Sequence, residues 1–132
     1  MIILEKYGIQ PNIKAIIMTA SVSAHNGAEF PEYCASKGGV LAYTKNVALR
    51  VAKYGATCNS ISAGGVITEL NAHILENKSL WDQVMAETLI PKWATVEEMA
   101  EWTYFLAVVN KSMTAQDVLI DNGEIAKANF VW

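Results

Sequence analysis

Three short runs with strand character, separated by stretches long enough for helices, limit this chain to few architectures. The first, residues 15–19 (AIIMT), is continuously apolar and rich in isoleucine, the pattern of a parallel strand covered on both faces. The others are residues 56–61 (ATCNSI), interrupted by Asn59 and Ser60, and residues 117–120 (DVLI), closed by the turn Asp121-Asn122-Gly123. After the first run, residues 21–32 (SVSAHNGAEFPE) are small and polar and read as a loop.

Pro31 suits the first turn of a helix, where a missing N–H costs little. From there to about residue 54, Val40, Leu41, Thr44, Val47, Ala48 and Val51 recur at helical steps, and Gly55 stands where a helix ends. Residues 62–68 (SAGGVIT) form a glycine loop, and residues 71–87 hold two short helices with Trp81, Val84 and Met85 as apolar contacts. Thr95-Val96-Glu97-Glu98 is a capping box opening a helix to about residue 109, with the stripe Met99, Trp102, Phe105, Leu106 and Val109. The order predicts an α/β fold. It is a right-handed βαβαβ unit in three layers around a three-stranded parallel sheet, one half of a doubly wound fold.

At 132 residues and 52% hydrophobic, the chain is sized for one domain over residues 1–132 with a packed core. Only 17% of residues are charged and the net charge is −3, so no basic surface exists for a phosphate backbone, and nucleic acid is not an expected partner. Cys34 and Cys58 stand alone, which argues against a zinc site or a disulfide framework and fits a reducing cytoplasm. No secretory signal or membrane-length apolar run is apparent. The opening residues 1–14 look like the end of a helix, and the tail 129–132 (NFVW) either docks on a neighbour or stays unordered.

Tyr33 and Lys37 are one helical turn apart and share a face. A phenol is a poor acid–base group at neutral pH, and a nearby ammonium favours its phenolate form. That brings the hydroxyl towards useful proton transfer. A hydroxyl from the strand end, Ser21 or alternatively Ser23, is placed to hold a reacting oxygen. His25 and His73 are isolated and read as solvated or core-edge residues. Cys34 reads as a packing residue, and Glu97, Glu98 and Glu101 as a solvated face.

Taken in order, residues 16–21 (IIMTAS), Tyr33-Cys34-Ala35-Ser36-Lys37, then Asn59 to Gly64 with Thr68, then residues 117–123 resemble the second half of the classical short-chain dehydrogenases/reductases. The resemblance spans about residues 13 to 124. It implies a Rossmann-like fold and an NAD- or NADP-dependent oxidoreductase that interconverts a small-molecule alcohol and a ketone by hydride transfer. Tyr33 would be the acid/base, Ser21 would position the substrate oxygen, and Lys37 would favour the phenolate and bind the nicotinamide ribose. Gly64, Val66 and Thr68 would line the nicotinamide end. Residues 70–90 would form the substrate lid, with His73 and Trp81 as pocket candidates. In the family the helix bearing Tyr33 packs on its copy, which implies a homo-oligomer, dimer or tetramer.

Four departures stand beside the match. Residues 21 to 33 are one residue closer than is common, Ala63 replaces a proline, and Asn122 replaces a glycine. No Gly-x-x-x-Gly-x-Gly turn is present to hold the adenosine and pyrophosphate. Nor is Asn12 assigned to the family's active-site asparagine, because it lies too close to the first strand. The expectation is a partial domain carrying the catalytic residues without the nucleotide-binding half. The competing expectation is an inactive fragment that keeps only fold and oligomer interface. The open edge left on residues 15–19 invites pairing, hence self-association.

Overall fold

The structure, a computed structural model, describes residues 14–127. The expectations for Asn12, for the opening segment and for the tail 129–132 lie outside the described residues. Strands β1 (Ala15–Ser21), β2 (Thr57–Ala63) and β3 (Asp117–Ile120) form one sheet in that order. Both pairings are parallel, with Ser21 opposite Ala63 and Ser60 opposite Asp117, and helices form all the connections. The three-stranded parallel α/β sheet is therefore as expected.

β2 runs through Asn59 and Ser60 rather than breaking there, because every polar atom of these buried side chains finds a partner. The Asn59 amide nitrogen donates to the Met113 carbonyl at 2.9 Å, its oxygen accepts from the Gln116 N–H at 3.1 Å, and Ser60 donates to Asp117. The Asn59 side chain thus ties β2 to the segment entering β3.

Residues 21–32 are not all loop: a single turn, α1 (Ser23–Asn26), lies within them and ends at Gly27. Helix α2 (Pro31–Val51) begins at the expected proline, tightens into a 3₁₀ turn (Ala52–Tyr54) and stops at Gly55, whose φ of 66° is left-handed. Thr44 and Ala48 are its buried residues. Their small size lets α2 approach β1 and β2 closely, and the Thr44 hydroxyl satisfies itself on the Val40 carbonyl at 2.8 Å.

A 3₁₀ turn (Glu69–Asn71), α3 (Ala72–Leu75) and α4 (Lys78–Met85) follow β2. Helix α5 (Val96–Tyr104) opens with the full capping box: the Glu98 N–H donates to the Thr95 hydroxyl and the Thr95 N–H to the Glu98 carboxylate. It continues as a π-helical turn (Phe105–Val109). The expected stripe is only partly covered. Leu106 is fully buried, Met99 is half-buried, and Trp102, Phe105 and Val109 remain exposed. Leu106, Cys58 and Ile61 form the core with Ala20 and Ala48. Each large apolar side chain buried there stabilises by about 1.5–3 kcal/mol.

Candidate active site

Parallel strands open their carboxyl ends to the same side, and the turns leaving β1 and β2 border one cavity of about 650 Å³. Ser21, Ser23, Tyr33, Lys37, Gly64 and Val66 all line it. Thr68 does not; it precedes the 3₁₀ turn, where its hydroxyl accepts weakly from the Asn71 side chain at 3.5 Å. His73 is exposed and outside the lining.

Ser21 is the last residue of β1. Its hydroxyl accepts from the Ser23 N–H at 3.2 Å and donates to the Ser23 hydroxyl at 3.1 Å. The two serine candidates are thus coupled and both buried. Tyr33 lies in the first turn of α2, 41% exposed, so its ring reaches the cavity without being sealed in. The Lys37 ammonium is 5.6 Å from the centre of that ring, as their spacing predicts, and donates to the Thr19 carbonyl on β1 at 3.0 Å. This bond fixes α2 to the strand at the height of the serine turn and leaves the ammonium beside the phenol.

The glycine loop is held differently. A side chain at Gly65 would meet the Trp93 indole at 2.1 Å, so the residue must be glycine for Trp93 to lie where it does. Trp93 is buried and backed edge-on by Trp81 at 5.5 Å between ring centres. Trp81 therefore supports the pocket from behind and does not itself line it. The Ala94 N–H donates to the Gly65 carbonyl at 3.0 Å, and the Ile67 N–H to the Ala94 carbonyl at 2.9 Å. Ala63 pairs as an ordinary strand residue where the family has proline, and Asn122 takes φ 53°, a left-handed conformation asparagine tolerates.

Two residues at the cavity carry no signal in the sequence pattern. Trp93 and Glu124 line it. Burial raises the Glu124 carboxyl above the ordinary carboxylate range, and the charges of Asp121 and Glu87 add to this while a hydrogen bond from the Gly65 N–H opposes it. Neither residue carries a local signal, because each reaches the cavity through a long-range approach. His25, for which a solvated or core-edge place is expected, lies outside the lining and is paired with Asp117 at 2.8 Å. The cysteines are free, and burial raises the thiol of Cys58. Among the described residues, no cluster of three or more His, Cys, Asp or Glu could hold a metal, and no helix is long and apolar enough to cross a membrane.

A family model described as enoyl-(acyl carrier protein) reductase matches residues 5–124. The chain belongs to the short-chain dehydrogenase/reductase family. An L-rhamnose 1-dehydrogenase (NADP(+)) of Thermoplasma acidophilum is 28% identical over 110 residues, which are 82% of this chain and 43% of that protein. A 3-oxoacyl-[acyl-carrier-protein] reductase of Chlamydia pneumoniae is 30% identical over 121 residues, 89% of this chain and 48% of that protein. Among solved structures, a 4-hydroxyisoleucine dehydrogenase complexed with NADH superposes with a TM-score of 0.79 at 28% identity, covering 86% of this chain and 48% of the other. This short-chain dehydrogenase/reductase chain therefore spans about half the length of the curated relatives it matches.

Proposed function

We propose that this chain supplies the catalytic half of an NAD- or NADP-dependent oxidoreductase that interconverts an alcohol and a ketone. The observation that carries the reading is the meeting of Ser21, Tyr33, Lys37, Gly64 and Val66 on one cavity from three separate elements. The backbone approach at Gly64 and Gly65 fits a flat ring, since side chains there would fill space already occupied by Glu124, Asp121 and Trp93. Lys37 is set to hold a ribose hydroxyl, and Gly64 and Val66 to border the nicotinamide, with Thr68 following on the same loop. When bound, the nicotinamide accepts or donates the hydride.

The chain's own residues do the remaining work. Ser21 hydrogen-bonds the substrate oxygen and holds it within reach of Tyr33. In alcohol oxidation the hydroxyl proton passes to the Tyr33 phenolate, which the Lys37 ammonium stabilises electrostatically; in reduction the Tyr33 hydroxyl returns it. Ser23, bonded to Ser21, orients that hydroxyl.

A second reading, a half that keeps the fold and the oligomer interface but does not turn over, is favoured by the 43% and 48% of the relatives' length that the chain spans. Titration with NADH and NADPH, followed by nicotinamide fluorescence, separates the two. Micromolar binding, with alcohol oxidation that falls by about 10²-fold or more in Tyr33→Phe, supports the first; absence of binding at millimolar cofactor supports the second. Self-association through α2 belongs to both readings and is supported by Tyr43 and Leu49, 59% and 78% exposed. A concentration-independent monomer in sedimentation velocity would refute it.

A further inference from the structure

We propose that His25 is a positioning residue for the serine turn, acting through Asp117 on β3. This rests on the reading of Ser21 as the hydroxyl that holds the reacting oxygen. The turn that carries it has little stability of its own. α1 is a single turn, closed by backbone bonds from the His25, Asn26 and Gly27 N–H groups to Val22 and Ser23, and one helical turn repays little of the entropy spent in ordering it. Its position must come from tertiary tethers.

Beside the packing of the turn against α2 and the burial of Val22 and Ser23, two polar tethers to the neighbouring strands are present. The Val22 N–H donates to the Ala63 carbonyl at 3.0 Å, extending the β1–β2 pairing by one bond. The other is the His25 ring. Its Nε2 lies 2.8 Å from Asp117 Oδ2 and 3.2 Å from the Ser62 hydroxyl. Ser60 and Asp117 are opposite one another in register, and Ser62 is two residues along the same strand, so all three side chains share one face of the sheet. The Ser60 hydroxyl donates to the other oxygen, Asp117 Oδ1, and so holds the carboxylate in place.

A carboxylate only accepts, so Nε2 must carry the proton. His25 therefore reaches from the end of β1 across β2 to β3, and fixes the turn whose first residues are Ser21 and Val22. With 28% and 17% of the two side chains exposed, the bond is shielded enough to matter. Without it, the polar hold on the turn falls to the Val22 N–H and the bonds between Ser21 and Ser23, beside the packing of its buried first residues.

The test reads the turn itself, in the 132-residue chain without cofactor, so a failed cofactor titration leaves it intact. Amide hydrogen exchange is measured at Ser23, Asn26 and Gly27, with Ile61 in the buried strand as the internal standard. His25→Phe, which keeps bulk but no donor, should speed exchange in the turn by about tenfold, the effect of losing one charge-assisted bond. His25→Gln, which returns a donor near the Nε2 position, should restore most of the protection. Asp117→Ala should reproduce the His25→Phe result, which a role for the imidazole ring in packing alone would not do.

Turn exchange within twofold of wild type in His25→Phe, with Ile61 unchanged, would overturn the proposal. So would a wild-type ¹⁵N spectrum showing the His25 ring protonated on Nδ1 alone. That measurement needs no variant and decides the matter if the substitutions unfold the chain.

Discussion

The turns leaving β1 and β2 are neighbours and border the same cavity, yet their side chains hold them by different means. The serine turn is held by polar bonds: Ser21 to Ser23, Val22 to Ala63, and His25 to Asp117. The glycine loop adds steric fit to its backbone bonds with Ala94 and Ile120, with Gly65 against the Trp93 indole and Trp81 behind it. The difference suits the roles proposed for the two turns. A hydroxyl that holds a reacting oxygen needs a direction, which hydrogen bonds give. A loop that borders a flat ring needs a clear surface, which close packing against a rigid indole gives.

The comparison breaks most visibly at Trp93. Trp93→Ala empties a buried site and should cost about 3–5 kcal/mol in thermal or urea unfolding. Gly65→Ala, which drives a methyl into the indole, should cost about 1–3 kcal/mol. The double variant should cost less than the sum, because the smaller residue makes room for the methyl; simple additivity would show that steric fit is not what holds the loop.

Asp117→Ala removes the carboxylate from both His25 and Ser60 and should cost about 1–3 kcal/mol by the same melts. It sharpens the contrast if Trp93 fluorescence stays unchanged. Thr95→Ala breaks the capping box directly after Trp93 and Ala94, and should cost about 1 kcal/mol. That loss should reach the glycine loop through Ala94 and leave amide exchange at Ser23 unaltered.

The smallest effects are those of pH, and their signs differ between two carboxylates near the loop. Glu124 is raised by burial and by Asp121 and Glu87. The folded state therefore binds its proton more tightly than the unfolded state, and stability falls as pH rises through and above the ordinary glutamate range. Glu124→Gln should then be more stable than wild type at neutral pH, with the difference vanishing in acid. Glu98 is lowered by the hydrogen bond from Lys92 and by that from the Thr95 N–H. Its contribution is present above the ordinary range and lost as pH falls below it. Melts of Glu124→Gln and Glu98→Gln against pH should therefore diverge from wild type in opposite directions at neutral pH and converge in acid.

Much of this protein was legible in local pattern. The three strands, the helix starting at Pro31 and ending before Gly55, and the capping box at Thr95 rest on interactions within a few residues, so their signals lie within a few residues too. The pairing of Tyr33 with Lys37 is equally local, being fixed by helical geometry. The pattern ends β2 at Ile61, two residues short, because Ser62 and Ala63 look like part of the glycine loop; Asn59 and Ser60 look like interruptions because their partners lie over fifty residues away. The stripe on α5 is legible as a face but not in its burial, because periodicity names a face and not what covers it.

The sequence by itself determined the elements, their order and the chemical groups available, since each depends on neighbours along the chain. Only the tertiary structure decided that Trp93 underlies Gly65, that Glu124 enters the cavity, and that His25 reaches Asp117, ninety-two residues on. Those contacts arise where separate elements converge at the carboxyl ends of the sheet, and no spacing along the chain encodes such a meeting.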